Sequence, residues 1–550
     1  MGLGFVGPIV CGFLMMASVL QQIGEALGDT ESLSWLVGGW TISSSVAFSM
    51  AGSVSDILGR RYVLLSAQVF AIIGCIIAAT CTKTRTMIAA EVLIGFGCGT
   101  MFTSYAAIQE LLPKKYRGIG IAWTELPNNL PWGSLSVIIA LQLTVHASWR
   151  WIYYIGIIYS TISLVGMALF YFPPRPQNDY DKTIWQELLS LDYIGLLLYT
   201  GGLTTFLLGF TWAGTTEHPW KSASVITPIV TGFLALVALI AYDALIPARP
   251  LFPWPLLNRF QDYTAYLVLL FVAGMVFVTL TSMAPVVSLY LFTHNPMEIG
   301  LISAPYGCLL IVSDTIIPAL IHKIGHIKYQ LLTLIVIQTL FNALYTVAIP
   351  NNRAAWIAFL CLGTPPFTAI TGLSYVAASL KLTPQQLGTA MGLLGTVRNG
   401  GGSVGNAIFH TILTSVVNGR LAPRISEAAL AHGFPAAHLA KLIPATLEDG
   451  AGVPGVLAAV PSMSPEVTVA VRQAFKDVYT YGFRAVFYST IPFGVLAIIC
   501  TLFINDPSDL LTNQVEVRME KHVLNQSLDQ RTLSNGQHRR KSANGKQGLK

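Results

Sequence analysis

Residues 52–61 read GSVSDILGRR, set between the apolar runs WLVGGWTISSSVAFSMA and YVLLSAQVFAIIGCIIAA. One carboxylate, Asp56, and two guanidinium groups, Arg60 and Arg61, therefore stand where one long apolar stretch stops and another begins. Gly52 and Gly59 frame them. Glycine allows close helix approach and a tight turn, so the string reads as a short connection between two helices at the edge of an apolar medium. A carboxylate at such a helix end can pair with an arginine across the connection, or meet the positive N-terminal end of a neighbouring helix. A pair of that kind holds one conformation and breaks in another.

The rest of the chain identifies the medium. Charged residues are 11% of the 550 and hydrophobic residues 53%, whereas a soluble globular protein carries about 25% charge. A soluble fold with so little charge would have to bury more apolar area than its surface-to-volume ratio allows. The protein is expected to be an all-α integral membrane protein with many passes. A hydrocarbon core about 30 Å thick takes about 20 helical residues to cross. Apolar runs of that order begin near residues 2, 34, 62, 86, 119, 151, 191, 223, 264, 298, 329, 354, 385 and 485, which predicts fourteen transmembrane helices. With the N-terminus in the cytoplasm, the short inside loops hold twelve Lys/Arg, including Arg60, Arg61, Arg175, Lys182 and Arg249, and the short outside loops hold five. Lysine and arginine collect on the cytoplasmic side, so both termini are expected there. The first span starts at the second residue with no basic n-region, and reads as a retained helix rather than a signal peptide.

Six of the seven cysteines lie inside apolar runs and Cys81 at a run's edge, with no C-x-x-C. Neither a disulfide framework nor a zinc or redox site is signalled. The last twenty residues hold six Lys/Arg and no acid. They read as a solvated, disordered tail able to touch anionic lipid, with RRKS around Ser542 as a short basophilic kinase match; no nucleic-acid partner is implied. Residues 417–484 form a long external segment. There SPEVTVAVRQAFKDV opens with Ser464 as N-cap and Pro465 at the first helical position, and Val467, Val471, Ala474, Phe475 and Val478 share one face. This predicts an amphipathic helix lying on the outer interface, with a substrate lid as the alternative.

Ionisable groups inside a span are costly and usually face a cavity or a partner. Arg398 lies about 20 Å along span 13 at 1.5 Å per residue, where its guanidinium requires a carboxylate, carbonyls or water. Asn399 follows it. Asp314 in span 10 is a candidate partner for Arg398 or a protonatable carrier, and Glu91 in the outer third of span 4 is a similar candidate. In span 5, TELPNNLPWG (124–133) interleaves Glu125, Asn128 and Asn129 with Pro127 and Pro131. Proline frees carbonyls, which a membrane tolerates only where protein or water satisfies them. The stretch reads as a cavity wall, and GTPPFTAITG (363–372) repeats the device in span 12. Glu125, Asp314 and Arg398 are expected to line one central cavity, with Glu91, Asn128, Asn129 and Asn399 also on the substrate and proton pathway.

The string G-x-x-x-D-x-x-G-R-R between spans 2 and 3, carried by Gly52, Asp56, Gly59, Arg60 and Arg61, resembles the loop signature of the major facilitator superfamily. ELLPKKYRG (110–118) resembles the loop after span 4 in that family. SWRWIYYIG (148–156) and LGTAMGLLGTVRNGGGSVGNAIF (387–409) resemble the entry to span 6 and the body of span 13 in its fourteen-helix drug:proton antiporters. LTNQVEVRMEKHV (511–523) is most similar to the fungal trichothecene efflux pump family, to which siderophore transporters are related. The resemblance implies two six-helix bundles, 1–172 (spans 1–6) and 263–504 (spans 9–14). Residues 173–262 would carry an inserted pair, spans 7 and 8, and 505–550 a cytoplasmic tail. HKIGHIK (322–328) after span 10 is a degenerate copy of the opening motif, with His322 and Gly325 at the positions of Asp56 and Gly59. A substrate site at the midplane, exposed alternately as the halves rock, is also implied. Two departures stand out: Glu91 replaces the arginine that antiporters carry four residues before Gly95, and their Gly-Pro…Gly-Gly motif is absent near Ser136–Leu141.

The expected function is proton-coupled efflux of a toxin, another secondary metabolite or a xenobiotic. Its partners would be a small-molecule substrate, protons and membrane lipid, with no cofactor or metal, in a monomer of the cell membrane; a vacuolar or vesicle membrane is the alternative. No GxxxxGK[ST] is present to bind ATP, so an ion gradient is the default energy source. Proton-coupled siderophore-iron uptake is the alternative function. A ligand-sensing receptor and a membrane enzyme are more distant readings. The best support for an enzyme is His322-x-x-x-His326, spaced for two imidazoles on one helical face, and no GxSxG or HExxH accompanies it.

Overall fold

A computed structural model describes residues 1–29, 33–173, 189, 191–213, 219–246, 252–382, 384–450, 452–453 and 455–512. Arg175, Lys182, Arg249 and the basic tail with Ser542 lie outside the described residues. Those described are helical throughout, without strands. In chain order the helices are α1 (Gly2–Ser18), α2 (Leu20–Leu27), α3 (Ser34–Leu58), α4 (Arg60–Thr80), α5 (Thr84–Leu111), α6 (Arg117–Asn129) and α7 (Trp132–His146). There follow α8 (Trp151–Phe170), α9 (Tyr193–Trp212), α10 (Ala223–Leu245), α11 (Phe260–Phe292), α12 (Pro296–Ile324) and α13 (Ile327–Ala348). The chain closes with α14 (Arg353–Leu380), α15 (Pro384–Ala431), α16 (Leu439–Gly450) and α17 (Pro465–Leu502).

Among the described residues, ten helices are long and apolar enough to cross a membrane, or eleven if α1 and α2, bent by 78°, form one span. That is fewer than the fourteen runs predict. The three other expected positions are also helical, as α3, the α6–α7 pair and α15, but polar. Ser43, Ser44, Ser45 and Ser49 are buried on α3, and Glu125, Asn128 and Asn129 on α6. A helix surrounded by other helices rather than lipid can carry such groups, because protein satisfies them.

Two seams bring early helices against late ones. Along the first, α3 packs on α15 so closely that a Cβ on Gly52 would stand 2.4 Å from the carbonyl oxygen of Gly388. Along the second, α7 packs on α12, where a Cβ on Gly307 would stand 2.0 Å from the carbonyl oxygen of Gly133. Only glycine permits either approach. The pair α9–α10 rests on the first seam: the Tyr199 hydroxyl is 2.6 Å from Ser45 Oγ on α3, and Thr411 Oγ1 on α15 donates to the carbonyl of Phe210 (2.8 Å).

The predicted interfacial helix is not a separate element. Ser464 caps it as expected, its Oγ accepting from Val467 N–H (3.2 Å), but α17 continues unbroken through the last span for 38 residues. At 1.5 Å per residue that is about 57 Å, well beyond a 30 Å core. Val467, Val471, Phe475 and Val478 do share a buried face, yet they cover protein rather than lipid, joining Leu421, Ile425 and Ala429 of α15 and Leu442 of α16 in one cluster. The segment between α15 and α17 is thus a helical cap. Arg472 pins it by donating twice to Asp449, at 2.8 and 2.7 Å. Phe475→Ala should destabilise this cap by about 3 kcal/mol, the usual cost of emptying a buried phenylalanine site. Faster proteolysis between α15 and α17 in membrane-inserted protein would show it, and an unchanged cleavage rate would count against the packing.

Candidate functional site

The proline-rich stretches break their helices as their chemistry requires. In 124–133, α6 ends at Asn129 and α7 starts at Trp132, across Leu130 and Pro131. Asn129 Nδ2 turns back onto the carbonyl of Glu125 (3.3 Å). In 363–372 the helix is interrupted at Thr364 and Pro365, and the Pro365 carbonyl accepts Thr368 N–H at 3.1 Å together with Ser313 Oγ of α12 at 2.7 Å and Thr368 Oγ1 at 3.0 Å. Both breaks border one cavity, whose wall includes residues of α1, α3, α5, α6, α7, α11, α12, α14 and α15.

Glu125, Asn128, Asn129, Asp314, Arg398 and Asn399 all line that cavity. The carboxyl groups of Glu125 and Asp314 touch, one from α6 and the other from α12. Asn128 Nδ2 donates to Glu125 Oε2 (3.3 Å), and Asn129 Nδ2 donates to Asp314 Oδ2. Asp314 is therefore not the close partner of Arg398. The guanidinium instead lies over the rings of Phe102 and Phe367, 5.1 and 5.4 Å from their centroids. Phe367 is itself stacked on Phe277 at 4.0 Å. Asn399 both borders the cavity and closes the α3 seam, its Nδ2 donating to Ser44 Oγ (3.1 Å).

Glu91 is elsewhere. It is fully buried between α5 and α8, where Tyr153 Oη donates to Oε1 at 2.7 Å. It lies 11 residues before Phe102 on α5, about 16 Å along the helix axis. Depth in a span is readable from sequence, but a tyrosine on the neighbouring helix is not, and here it draws the carboxyl away from the central space.

At the other end of α3, Gly59 makes the whole turn to α4, with φ +90°. Arg60 joins two carboxylates, Asp56 Oδ1 and Glu110 Oε1, both at 2.7 Å, and also donates to Ser55 Oγ. Asp56 meets the second turn of α15 as well: Thr389 Oγ1 donates to Oδ2 at 3.4 Å. Arg61 takes no part, donating to the carbonyl of Ala168 (2.8 Å) and lying 4.0 Å over the ring of Phe172. Glu110, a member of this cluster that the reading from sequence passes over, is the first residue of ELLPKKYRG. A lone carboxylate at a helix end facing the arginine loop was the available signal.

The degenerate copy sits in the matching place. Gly325 turns α12 into α13 with φ +59°, and His322 packs on Tyr116, with ring centroids 5.7 Å apart, near the start of α6. Beside it Arg117 donates to the carbonyl and hydroxyl oxygens of Ser379, at 2.9 and 3.1 Å. The turn at Gly325 separates the two histidines read as a possible pair. His322 Nδ1 faces the carbonyl of Ala319, while His326 is exposed beside Asp506.

Comparison with known proteins agrees with this architecture. Residues 7–538 match the family described as fungal trichothecene efflux pump (TRI12). The chain is 28% identical to the trichothecene efflux pump TRI12 of Fusarium sporotrichioides, over 91% of this chain and 84% of that protein. Its identity to the pump of the same name in Trichoderma arundinaceum is 26%, over 92% and 85%. The MFS-type transporter prx5 of Penicillium rubens is 25% identical over 91% and 89%. Among solved structures, the human organic anion transporter MFSD10 superposes with a TM-score of 0.54, covering 91% of this chain and 97% of that one at 13% identity. That likeness shows a shared major facilitator fold.

Proposed function

The chain belongs to the fungal trichothecene efflux pump family of major facilitator transporters, and from that premise we propose that it exports a toxin or other secondary metabolite across the cell membrane in exchange for protons. It is a multi-pass transporter rather than an enzyme. In this reading 1–172 and 263–504 are the two rocking bundles, α9 and α10 are an inserted pair, and α3, α6–α7 and α15 also cross the membrane to make fourteen spans with both termini in the cytoplasm. The family and its relatives are efflux pumps, so siderophore uptake is not favoured.

One observation carries the reading: a single cavity between α6 and α12 holds two touching carboxyl groups on one side and the Arg398 guanidinium on another. Touching carboxylates repel when both are ionised, and one proton removes the repulsion. Glu125 and Asp314 are thereby suited to carry protons, and they come from different halves. Gain or loss of a proton then changes the force between the halves, which couples proton movement to rocking. Gly52, Asp56, Gly59 and Arg60, with Glu110 and Thr389, form the latch that holds the cytoplasmic end shut.

The test is flux. Proteoliposomes containing only this protein should accumulate a labelled trichothecene when a pH gradient is imposed, and a protonophore should abolish the accumulation. No solute flux would end the transporter reading for this substrate class. Flux indifferent to the gradient would end proton coupling alone.

A further inference from the structure

Among the described residues, Arg398 is the one cation lining the cavity. A guanidinium carries five N–H donors and no acceptor. None of those donors meets a protein acceptor among the described residues; the contacts of the group are the two ring faces of Phe102 and Phe367. A π face attracts the cation without accepting from its N–H groups, so the donors stay open. Glu125 and Asp314 are already engaged by Asn128 and Asn129. Water can serve the open edge while the cavity is empty. A molecule that enters and displaces this water must replace its hydrogen bonds or bind weakly.

We infer that Arg398 selects the substrate. The class it selects is an apolar-bodied molecule with an acceptor oxygen, such as an ester, ketone or carboxylate, that reaches the guanidinium edge. The apolar body has a matching wall in Phe13, Trp40, Phe277 and Phe367. Hydrocarbons and lipophilic cations, neither of which offers an acceptor, would strand the donors. This inference rests on the efflux reading above and narrows it from any xenobiotic to oxygenated neutral or anionic amphiphiles.

The experiment uses the full-length protein in lipid nanodiscs, with binding followed by quenching of tryptophan fluorescence. Three probes are compared: a trichothecene acetate ester, the sesquiterpene hydrocarbon cedrene, and the tetraphenylphosphonium cation. Wild type should bind the ester at least about 10-fold more tightly than either other probe, the range expected of a charge-assisted hydrogen bond. Arg398→Met should weaken ester binding about 10- to 100-fold and erase the preference over cedrene. Arg398→Lys, which keeps the charge and a donor, should recover part of it. The ratio of affinities within one variant does not depend on how much of that variant is folded. An unchanged ester-to-cedrene ratio in Arg398→Met, with ester transport by wild type intact, overturns this inference alone. Wild type that binds and transports no ester overturns the efflux reading and this inference with it. A wild-type preference for tetraphenylphosphonium also overturns the inference.

Discussion

Asp314→Asn will leave the protein in the membrane and able to exchange substrate down its gradient, but will abolish accumulation driven by a pH gradient. Each pH unit stores about 1.4 kcal/mol per proton, so wild type coupled to one proton should concentrate substrate about tenfold across one unit. The variant should stop near equal concentrations. The isosteric amide can still face Asn129 Nδ2, so the local fold should tolerate the change, while the group that takes up and releases a proton is gone. Glu125→Gln tests the same pair from the other half and should behave alike. Parallel measurement of counterflow and of ΔpH-driven uptake separates the outcomes. If ΔpH-driven accumulation stays at the wild-type level in both variants, neither carboxyl carries the proton.

Gly52→Val should reduce transport to background by a different route. A Cβ at this position stands 2.4 Å from the Gly388 carbonyl oxygen and 2.9 Å from its carbon, both of them backbone atoms. No rotamer change relieves such an overlap, so α3 and α15 must move apart at the end where Asp56 meets Thr389. The state with this end closed becomes unfavourable, and a transporter that cannot visit one of its two states does not cycle. Substrate binding by the cavity should persist. Maleimide labelling of a cysteine introduced at Thr389 should be faster in the valine variant, because the seam that half-buries this position is held open. Normal transport with unchanged labelling would show that the close approach of α3 and α15 is dispensable.

Both predictions use residues that the sequence singles out, yet in combinations it does not contain. Glycines, a carboxylate and two arginines around residue 56 announce a helix connection, and the turn does fall on Gly59. Nothing in that string distinguishes Arg60, which holds two carboxylates, from Arg61, which binds a carbonyl and a ring on the other side of α4. Consecutive residues on a helix point about 100° apart, so neighbours in a motif commonly serve different partners. Likewise, proline and asparagine in 124–133 identify a broken, polar helix, but whether Glu125 faces Asp314 or Arg398 depends on how α6 is turned toward α12.

Sequence by itself determined the helical membrane class, the helix breaks at the prolines of 124–133 and 363–372, and the cap at Ser464. These follow from local quantities: transfer energy per residue, a rise of 1.5 Å per residue, and the missing N–H of proline. Only the tertiary structure decided that Glu125 touches Asp314, that Arg398 rests on two aromatic rings with its donors open, that Glu91 belongs to Tyr153, and that α17 packs against α15 and α16. Position along a helix sets a residue's height in the bilayer. Its partner is set by the rotation and closeness of other helices, and those depend on glycines and side chains hundreds of residues away.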